Sequence, residues 1–517
     1  MAPYPLARTD MREVTLAAWL HRRRHINPDS PAVTFGGEVL SYAALDDRVE
    51  TVARALGARG VGRGDRIAYM GSNHPMFIIA LFASARLGAI FVPLNFRLTS
   101  HEAGYILKDV GARAIFCDFA RMPVINQIRG DVDCEHYLAV GPNAPGWETL
   151  ADGHPSKASG ELTFEAAATD VAVIMYTSGT TGRPKGAQLT HLNLWANNIN
   201  WALSIATSYA DTGLNCAPLF HVGGLCVVVL PVLFAGGHVV LQEAFDPSTF
   251  LAALEKHRVT LTFAVPAMMQ SLAQLQQFTA ADLTSLRLFI AGGASVPEPL
   301  LRLYDNRRVP ISQGWGMTES ATAVTFLAPK DAAAKLGSCG KAVMLSEFRL
   351  VDADEMTITS PHLPGEIRLR GMNVSPGYWN RPDATVDAFD SDGWFRSGDV
   401  GYVDDDGFLY VCDRLKDMII SGGENIYSAE VESALYRHPA VAEVAVVGAP
   451  DEQWGERVIA FAVVRPGELL TLDGLRRFAE DYLARYKLPK ELRLLGALPR
   501  NSSGKVLKDE LRRIARQ

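Results

Sequence analysis

The segment Tyr176-Thr177-Ser178-Gly179-Thr180-Thr181-Gly182-Arg183-Pro184-Lys185-Gly186 follows an apolar run at residues 171–175. The run is typical of a buried strand, so this loop is expected to leave the C-terminal end of a sheet strand, where open α/β sheets bind ligands. The hydroxyl groups and glycine N–H groups of the loop, with the charge of Lys185, suit a polyphosphate. The segment therefore predicts a phosphate-binding loop, and a flexible linker is the alternative.

The loop differs from a Walker loop in the residues around its lysine. Pro184 precedes Lys185 and Gly186 follows it, whereas a Walker loop continues from Gly-Lys into Ser or Thr at the start of a helix. Since no hydroxyl residue directly follows Lys185, a ligand for Mg²⁺ has to come from another part of the chain.

Composition indicates an ordinary globular protein with several domains. The chain has 517 residues, of which 48% are hydrophobic and 21% are charged. A net charge of -7 and a pI near 6.0 provide no field to gather nucleic acid or an anionic membrane, so neither is expected as a partner.

Targeting signals and cysteine spacing favour the cytoplasm. The first ten residues contain no secretory signal, and the apolar run 225–241 is interrupted by Pro231 and Gly236-Gly237, so no transmembrane segment is expected. Six cysteines without Cys-x-x-Cys spacing indicate free thiols in a reducing compartment: Cys117, Cys134, Cys216, Cys226, Cys339 and Cys412.

Alternating helix and strand patterns predict an α/β fold. Helices are expected at 16–24, 42–59, 76–88, 101–110 and 189–205, and strands at 66–70, 89–93, 114–117, 261–265 and 286–290. This alternation indicates parallel βαβ units in at least two layered α/β sheets. After about residue 413, helices at 429–436 and 472–484 flank strands at 441–447 and 458–464, which indicates a small α+β unit. The basic tail 505–516 is expected to form a solvated helix.

Five further clusters combine glycine, hydroxyl, aromatic and charged residues. They are Pro218-Leu219-Phe220-His221-Val222-Gly223-Gly224; Ala291-Gly292-Gly293-Ala294-Ser295; Gln313-Gly314-Trp315-Gly316-Met317-Thr318-Glu319-Ser320; the segments 394–400 and 413–417; and Pro499-Arg500-Asn501-Ser502-Ser503-Gly504-Lys505-Val506. With the opening loop, they resemble the adenylate-forming superfamily, which includes acyl-CoA synthetases, aryl-CoA ligases, luciferase and adenylation domains of peptide synthetases. The motifs follow the family's order over most of the chain, which argues against coincidence.

The resemblance implies a ligase that joins a carboxylic acid to the α-phosphate of ATP and releases pyrophosphate. Such a reaction requires charge neutralisation and in-line positioning. Glu319 matches the Mg²⁺ ligand, with a surface glutamate as the alternative, and Thr318 matches the residue that contacts the α-phosphate. The β- and γ-phosphates are assigned to Thr177, Ser178, Gly179, Thr180, Thr181, Gly182 and Lys185.

The resemblance also assigns the residues that would bind the adenine and ribose of ATP. Trp315 stands where tyrosine is usual and would stack on adenine; a core tryptophan is the alternative. Asp399 and Arg414 match the residues that bind the ribose hydroxyl groups, with a structural salt bridge as the alternative. The other residues assigned to this part of the site are Gly292, Gly293, Ala294, Gln313, Gly314, Gly316 and Met317.

The C-terminal part matches the family's second half-reaction. Lys505 resembles the lysine that stabilises charge during adenylation, and Lys416 matches a hinge that lets the domain rotate for thioester formation. Gly422 and Gly423 resemble the segment that lines the tunnel for coenzyme A, although Ser428 replaces a common proline there. Residues 1–414 are therefore predicted as an N-terminal adenylation domain and residues 415–517 as a small mobile C-terminal domain.

The acid itself is not specified by the sequence. His221, Val222, Gly223 and Trp315 are predicted to line the acyl pocket, with a hydrogen-bonded core histidine as the alternative for His221. Small residues after His221 leave medium-chain, branched and aromatic acids open. A carrier-protein thiol, an amine or another nucleophile is the alternative acceptor to coenzyme A, and a catalytically silent nucleotide-binding protein is the alternative from another class. A homodimer is left open beside a monomer.

Overall fold

A computed structural model describes residues 14–150, 166–177, 184–294, 296–500 and 506–516. Four sheets of nine, six, four and five strands organise these residues. The first two are mainly parallel and are covered by helices, as the α/β prediction requires, and the last belongs to a C-terminal α+β unit.

The chain begins with a capped helix and a hairpin. Thr15 caps α1 by accepting a hydrogen bond from the N–H of Ala18, and Ser41 caps α2 by accepting one from Ala44. These first elements are α1 (Leu16–Ile26), β1 (Pro31–Phe35), β2 (Glu38–Ser41) and α2 (Tyr42–Ala58).

The six-stranded sheet has the order β6-β5-β3-β4-β7-β8. All its neighbouring strands are parallel except the antiparallel pair β7 and β8. Its elements are β3 (Arg66–Met70), α3 (Pro75–Arg86), β4 (Ile90–Leu94), α4 (Ser100–Val110), β5 (Ala112–Asp118), α5 (Met122–Asn126), β6 (His136–Val140), β7 (Val171–Thr177) and β8 (Lys185–Thr190). The predicted alternation between residues 42 and 117 is confirmed to within a few residues.

The strand that follows the opening loop was not predicted from the sequence. Residues 185–190 form β8, so the loop connects an antiparallel hairpin, and the helix expected at 189–205 begins instead at His191. Thr190 and Asn193 form a capping box that fixes this helix start. Because β8 contains glycine and glutamine and lacks regular apolar alternation, pairing with β7 decides its conformation.

The nine-stranded sheet has the order β15-β14-β13-β12-β11-β9-β10-β1-β2. It is parallel from β1 through β13, and the edge strands β2, β14 and β15 are antiparallel. Its later elements are α6 (His191–Ile205), β9 (Thr212–Asn215), α7 (Val222–Gly224), a π-helical turn (Leu225–Val229), α8 (Leu230–Ala235), β10 (His238–Leu241), α9 (Pro247–Lys256), β11 (Leu261–Ala264), α10 (Pro266–Ala273), β12 (Leu288–Ala291), α11 (Glu298–Asn306), β13 (Ile311–Met317), β14 (Thr322–Phe326) and β15 (Lys341–Ala342).

A four-stranded antiparallel sheet follows in the order β16-β17-β18-β19. Its buried side chains Leu350, Ile367, Phe395 and Leu409 share one apolar cluster with Trp315 of β13. Its elements are β16 (Ser346–Val351), β17 (Gly365–Gly371), α12 (Pro382–Ala388), β18 (Phe395–Val403) and β19 (Leu409–Arg414).

The chain changes sheets immediately after β19. The C-terminal unit consists of β20 (Ile419–Ser421), β21 (Glu424–Ile426), α13 (Ser428–Leu435), β22 (Val441–Asp451), β23 (Gly455–Val464), α14 (Leu472–Ala479), β24 (Glu491–Leu494) and α15 (Lys508–Ala515). The predicted domain boundary between residues 414 and 415 coincides with this change of sheet. That this position separates two domains stays a prediction.

The basic tail differs from the predicted solvated helix. Leu511 and Ala515 of α15 are buried in an apolar cluster with Val447 and Phe461, and the Nζ atom of Lys508 lies 2.8 Å from Oε1 of Glu432. Charged residues dominate the composition of the tail, so composition does not indicate the apolar pair that Leu511 and Ala515 form at positions i and i+4.

All six cysteines are free thiols, three of them fully buried. Within the part of the chain that the structure describes, no helix is both long and apolar enough to cross a membrane.

Candidate active site

The two ends of the opening loop meet at the end of the β7–β8 hairpin. Thr177 pairs with Lys185, and the Thr177 hydroxyl donates a hydrogen bond of 3.4 Å to the Lys185 carbonyl oxygen. The Lys185 ammonium lies 5.2 Å from the ring centroid of Tyr378. Ser178, Gly179, Thr180, Thr181 and Gly182 lie outside the described residues, so their phosphate-binding role stays a prediction.

Tyr378 is a site residue that sequence reasoning missed. Its segment pairs with β8 in the antiparallel direction. The N–H of Gln188 donates to the Gly377 carbonyl at 3.0 Å, and the N–H of Trp379 donates to the Gly186 carbonyl at 2.8 Å. An aromatic pair directly after Gly377 was the available signal, but only the pairing with β8 shows which loop it joins.

Glu319 is joined to Lys185 through Tyr378. The Tyr378 hydroxyl donates a 2.8 Å hydrogen bond to Oε1 of Glu319, which lies in a short 3₁₀ helix, Thr318–Ser320, after β13. Glu319 is only 5% exposed, which excludes the ordinary surface glutamate. Burial raises its pKa, while the hydrogen bond from Tyr378 and the charge of Arg414 act in the opposite direction.

Asp399 and Arg414 are direct partners across β18 and β19. Their Oδ1 and Nε atoms lie 3.4 Å apart, and Oδ2 of Asp399 accepts a 2.8 Å hydrogen bond from Nε1 of Trp315. Trp315 is 8% exposed and packs in the cluster under the four-stranded sheet. These contacts fit the alternative of a core tryptophan, and stacking on adenine stays a prediction.

Of the two glycine clusters assigned to adenine, one directly follows β12 and the other begins within the neighbouring strand β13. β12 and β13 are parallel with Ala291 beside Gln313, so the chain leaves β12 at Gly292 next to Gly314. Gly293 and Ala294 are exposed beyond the strand end. At Gly316, which lies within β13, a Cβ atom would be 1.4 Å from the Thr322 carbonyl oxygen, so only glycine fits this position of the strand.

Of the predicted acyl-pocket residues, Gly223 lies close to Phe263 of β11. A Cβ atom on Gly223 would lie 3.2 Å from the Phe263 ring, and one on Gly292 would lie 3.4 Å from it. His221 is exposed and caps α7 by accepting a hydrogen bond from the Gly223 N–H, so the core-histidine alternative is wrong. Val222, Gly223 and Gly224 are buried, and sequence reasoning did not find Phe263, which lies within an ordinary apolar strand.

The predicted hinge and coenzyme A residues belong to the C-terminal part. Lys416 lies in a 3₁₀ turn, Leu415–Asp417, between β19 and β20, with its Nζ atom 3.5 Å from Oδ2 of Asp509. Gly422 and Gly423 form an exposed turn between β20 and β21 with φ angles of 62° and 84°. Lys505 lies outside the described residues, so the structure does not place it relative to Glu319.

The residues around Glu319 fit a magnesium nucleotide. Mg²⁺ is held in such sites by one or two carboxylates, substrate phosphates and water. Glu319 supplies one buried carboxylate, which Tyr378 connects to the cation Lys185, and the described residues contain no group of three or more His, Cys, Asp or Glu side chains that could hold a metal ion on its own. This donor set suits an ion that is shared with phosphate groups.

Comparison with known proteins identifies the family. Residues 20–379 match the family described as AMP-binding enzyme, and residues 430–505 match the AMP-binding enzyme C-terminal domain. A feruloyl-CoA synthase from Amycolatopsis sp is 44% identical over 505 residues, covering 97% of this chain and 99% of that protein. A long-chain-fatty-acid–CoA ligase from Mycobacterium tuberculosis is 39% identical over 473 residues, covering 92% of each chain.

A solved structure agrees with this assignment. The o-succinylbenzoate coenzyme A synthetase of Bacillus subtilis, in complex with ATP and magnesium ion, is 34% identical with a TM-score of 0.83, over 95% of this chain and 98% of that one. The motif order, the arrangement of Lys185, Glu319, Asp399 and Arg414, and these matches lead to one conclusion. The chain belongs to the AMP-binding enzyme family, that is, to the adenylate-forming superfamily that its motifs resemble.

Proposed function

We propose that this protein is an ATP-dependent carboxylic acid:CoA ligase whose acid is aromatic. The acid carboxylate attacks the α-phosphate of ATP, pyrophosphate leaves, and an acyl-adenylate forms. The thiol of coenzyme A then attacks the acyl carbon, and AMP leaves as the thioester forms. Both steps balance without an oxidant or reductant.

The observation that carries this proposal is the convergence of charged groups from separate parts of the chain. The cation Lys185 contacts the ring of Tyr378, and Tyr378 donates to the carboxylate of Glu319. Glu319 is within electrostatic reach of Arg414 and Asp399. In this arrangement Lys185 neutralises phosphate charge, Glu319 holds Mg²⁺, and Asp399 with Arg414 binds ribose. Bound Mg²⁺ would supply charge neutralisation at the phosphate oxygens.

The wall around Phe263 supports an aromatic acid. A Cβ atom at either Gly223 or Gly292 would touch an edge atom of this ring, so neither residue covers that aromatic surface with a side chain. Aromatic rings gain from edge or offset contacts with such a surface. The feruloyl-CoA synthase supports the same substrate class, and the fatty-acid ligase represents the competing one.

Phe263→Leu is expected to lower kcat/KM for aromatic acids roughly tenfold, because the substitution removes the ring but keeps an apolar side chain. Fatty acids should be affected less. Steady-state kinetics with cinnamic-type and medium-chain acids checks this result. Phe289→Leu is the matched control, because Phe289 is a buried phenylalanine on the adjacent strand that packs with Tyr304 instead. Equal losses for both acid classes would contradict the assignment of this wall.

Tyr378→Phe is expected to shift the acidic limb of the adenylation rate to higher pH. The Tyr378 hydrogen bond holds down the pKa of Glu319, which burial has already raised. Without it the carboxylate takes up a proton at higher pH and loses its charge for Mg²⁺. The phenylalanine ring preserves the contact with Lys185.

The pH dependence of acid-dependent pyrophosphate release measures this shift. Tyr304→Phe is the control, because it removes a buried 2.8 Å hydrogen bond to the Met269 carbonyl and leaves Glu319 untouched. That control should lower stability without changing the pH profile. An unchanged profile in Tyr378→Phe would show that this hydroxyl does not tune Glu319.

The proposed function is tested with a panel of acids and product analysis. Aromatic, branched and straight-chain acids are incubated with ATP and Mg²⁺, with and without coenzyme A, and pyrophosphate and thioesters are measured. We expect aromatic acids to give the highest pyrophosphate release and CoA thioesters by mass spectrometry. Activity on no acid, or products without coenzyme A, would contradict the proposal and favour a silent protein or another acceptor.

We also propose that the protein is cytoplasmic, that its C-terminal domain rotates at Lys416, and that it forms a homodimer. Free cysteines support a reducing compartment, and burial raises the pKa of the Cys339 and Cys412 thiols to about 12, which keeps them unreactive. Light scattering on the purified chain tests the homodimer.

A further inference from the structure

Trp315 stands at the junction of two sheets. It lies on β13 of the nine-stranded sheet, and it shares an apolar cluster with Ile367, Leu369 and Phe395 of the four-stranded sheet. Its indole N–H donates the 2.8 Å hydrogen bond to Oδ2 of Asp399. The carboxylate on one sheet is therefore held by a donor from the other.

The two side chains that the structure describes at the Asp399 carboxylate differ in how firmly they are fixed. Arg414 is 47% exposed at its side chain, and its Nε atom approaches Oδ1 only to 3.4 Å, so solvent weakens this pair. Trp315 is 8% exposed and surrounded by buried side chains, so packing fixes the direction of its N–H. A buried donor to a carboxylate is a charge-assisted hydrogen bond. The indole is thus the stronger constraint on the orientation of Asp399.

We propose that Trp315 is a positioning residue for ribose recognition: its indole N–H orients Asp399 so that the remaining acceptor sites of the carboxylate meet the ribose hydroxyl groups of ATP. Each carboxylate oxygen can accept two hydrogen bonds, so the bond from Trp315 leaves capacity for the ligand. The inference rests on the proposed function, in which Asp399 binds ribose. It assigns to the indole a role that neither adenine stacking nor core packing requires.

These three roles predict different nucleotide preferences. Stacking depends on the base and ignores the ribose hydroxyl groups, so a stacking residue affects ATP and 2′,3′-dideoxyATP alike. Packing affects stability and leaves the preference between the two nucleotides unchanged. A positioning role affects ATP alone, because only ATP has the hydroxyl groups that Asp399 contacts.

Equilibrium binding of ATP and 2′,3′-dideoxyATP to the full chain, measured by calorimetry, tests the proposal without requiring an acid or coenzyme A. We expect the wild type to prefer ATP, and Trp315→Phe to weaken ATP binding about tenfold while dideoxyATP binding is unchanged. In an Asp399→Ala background, Trp315→Phe should cause no further loss for ATP.

Trp201→Phe is the matched control. Trp201 is a buried tryptophan that packs on Phe326, and its indole N–H has no hydrogen-bond partner among the described residues. Its substitution removes the same volume without removing a hydrogen bond, so we expect lower thermal stability and an unchanged preference for ATP.

The outcomes separate this inference from the proposed function. A wild type that binds both nucleotides equally would overturn the ribose role of Asp399. The positioning role alone would be overturned if the wild type prefers ATP but Trp315→Phe weakens the binding of both nucleotides equally, or of neither. If Trp315→Phe does not fold, the wild type labelled with ¹⁵N-tryptophan gives a second measurement. In the wild type, one indole N–H resonance should shift when ATP is added and should not shift with dideoxyATP. Asp399→Ala should shift the same resonance. If Asp399→Ala shifts no indole resonance, the contact between Trp315 and Asp399 is refuted.

Discussion

Lys505→Ala is expected to lower acid-dependent ATP–pyrophosphate exchange by roughly 100- to 1,000-fold, the usual loss when a preorganised donor to transition-state charge is removed. Lys505 follows Ser502-Ser503-Gly504 in the last motif of the chain, and it matches the position of the family's adenylation lysine. Because we assign this lysine to the attacking carboxylate and the α-phosphate, we expect thioester formation from a supplied acyl-adenylate to continue at close to the wild-type rate.

The control for Lys505→Ala is Lys490→Ala, which removes an exposed lysine from the same C-terminal unit. This variant should retain both half-reactions. Single-turnover assays of exchange and of thioester formation measure the two steps separately. If Lys505→Ala slows both steps to the same extent, the lysine does not have the specialised role that we assign to it.

Glu319→Ala is expected to lower adenylation by about 100-fold at ordinary Mg²⁺ concentration and to raise the Mg²⁺ concentration needed for half-maximal rate. We propose this carboxylate as the metal ligand that the opening loop lacks, and it is buried beside Tyr378. Titration of the exchange rate with Mg²⁺ measures the effect. An unchanged requirement for Mg²⁺ would remove Glu319 from the metal site.

Glu319→Gln separates the charge from the shape of the side chain. Glutamine keeps an oxygen that can accept from Tyr378, but it carries no charge, so it should lose metal-dependent activity much as alanine does. Its stability should not fall, because burial raises the pKa of Glu319 and the charged form is a cost to the folded state at neutral pH. For a raised carboxyl pKa, protonation as pH falls relieves this cost. A glutamine variant that melts well below the wild type would contradict this view of the site.

Local patterns in the sequence were sufficient for the alternating helices and strands between residues 42 and 117. The regular spacing of apolar helices and strands from residue 42 to residue 117 predicted the parallel sheet, because each element there carries its own periodic signal. The strand β8 and the buried face of α15 were missed, because pairing with β7 and packing on the C-terminal sheet decide them.

The sequence by itself determined the chemistry of this protein: the ordered motifs with Lys185, Glu319, Asp399, Arg414 and Lys505 specify the family and the adenylation reaction. Residue types and motif order carry this information without coordinates. Tertiary structure alone placed Tyr378 between Lys185 and Glu319, and Phe263 between Gly223 and Gly292. It also gave Trp315 a carboxylate partner 84 residues along the chain. These contacts join segments that are remote in sequence, and only strand pairing and core packing bring those segments together.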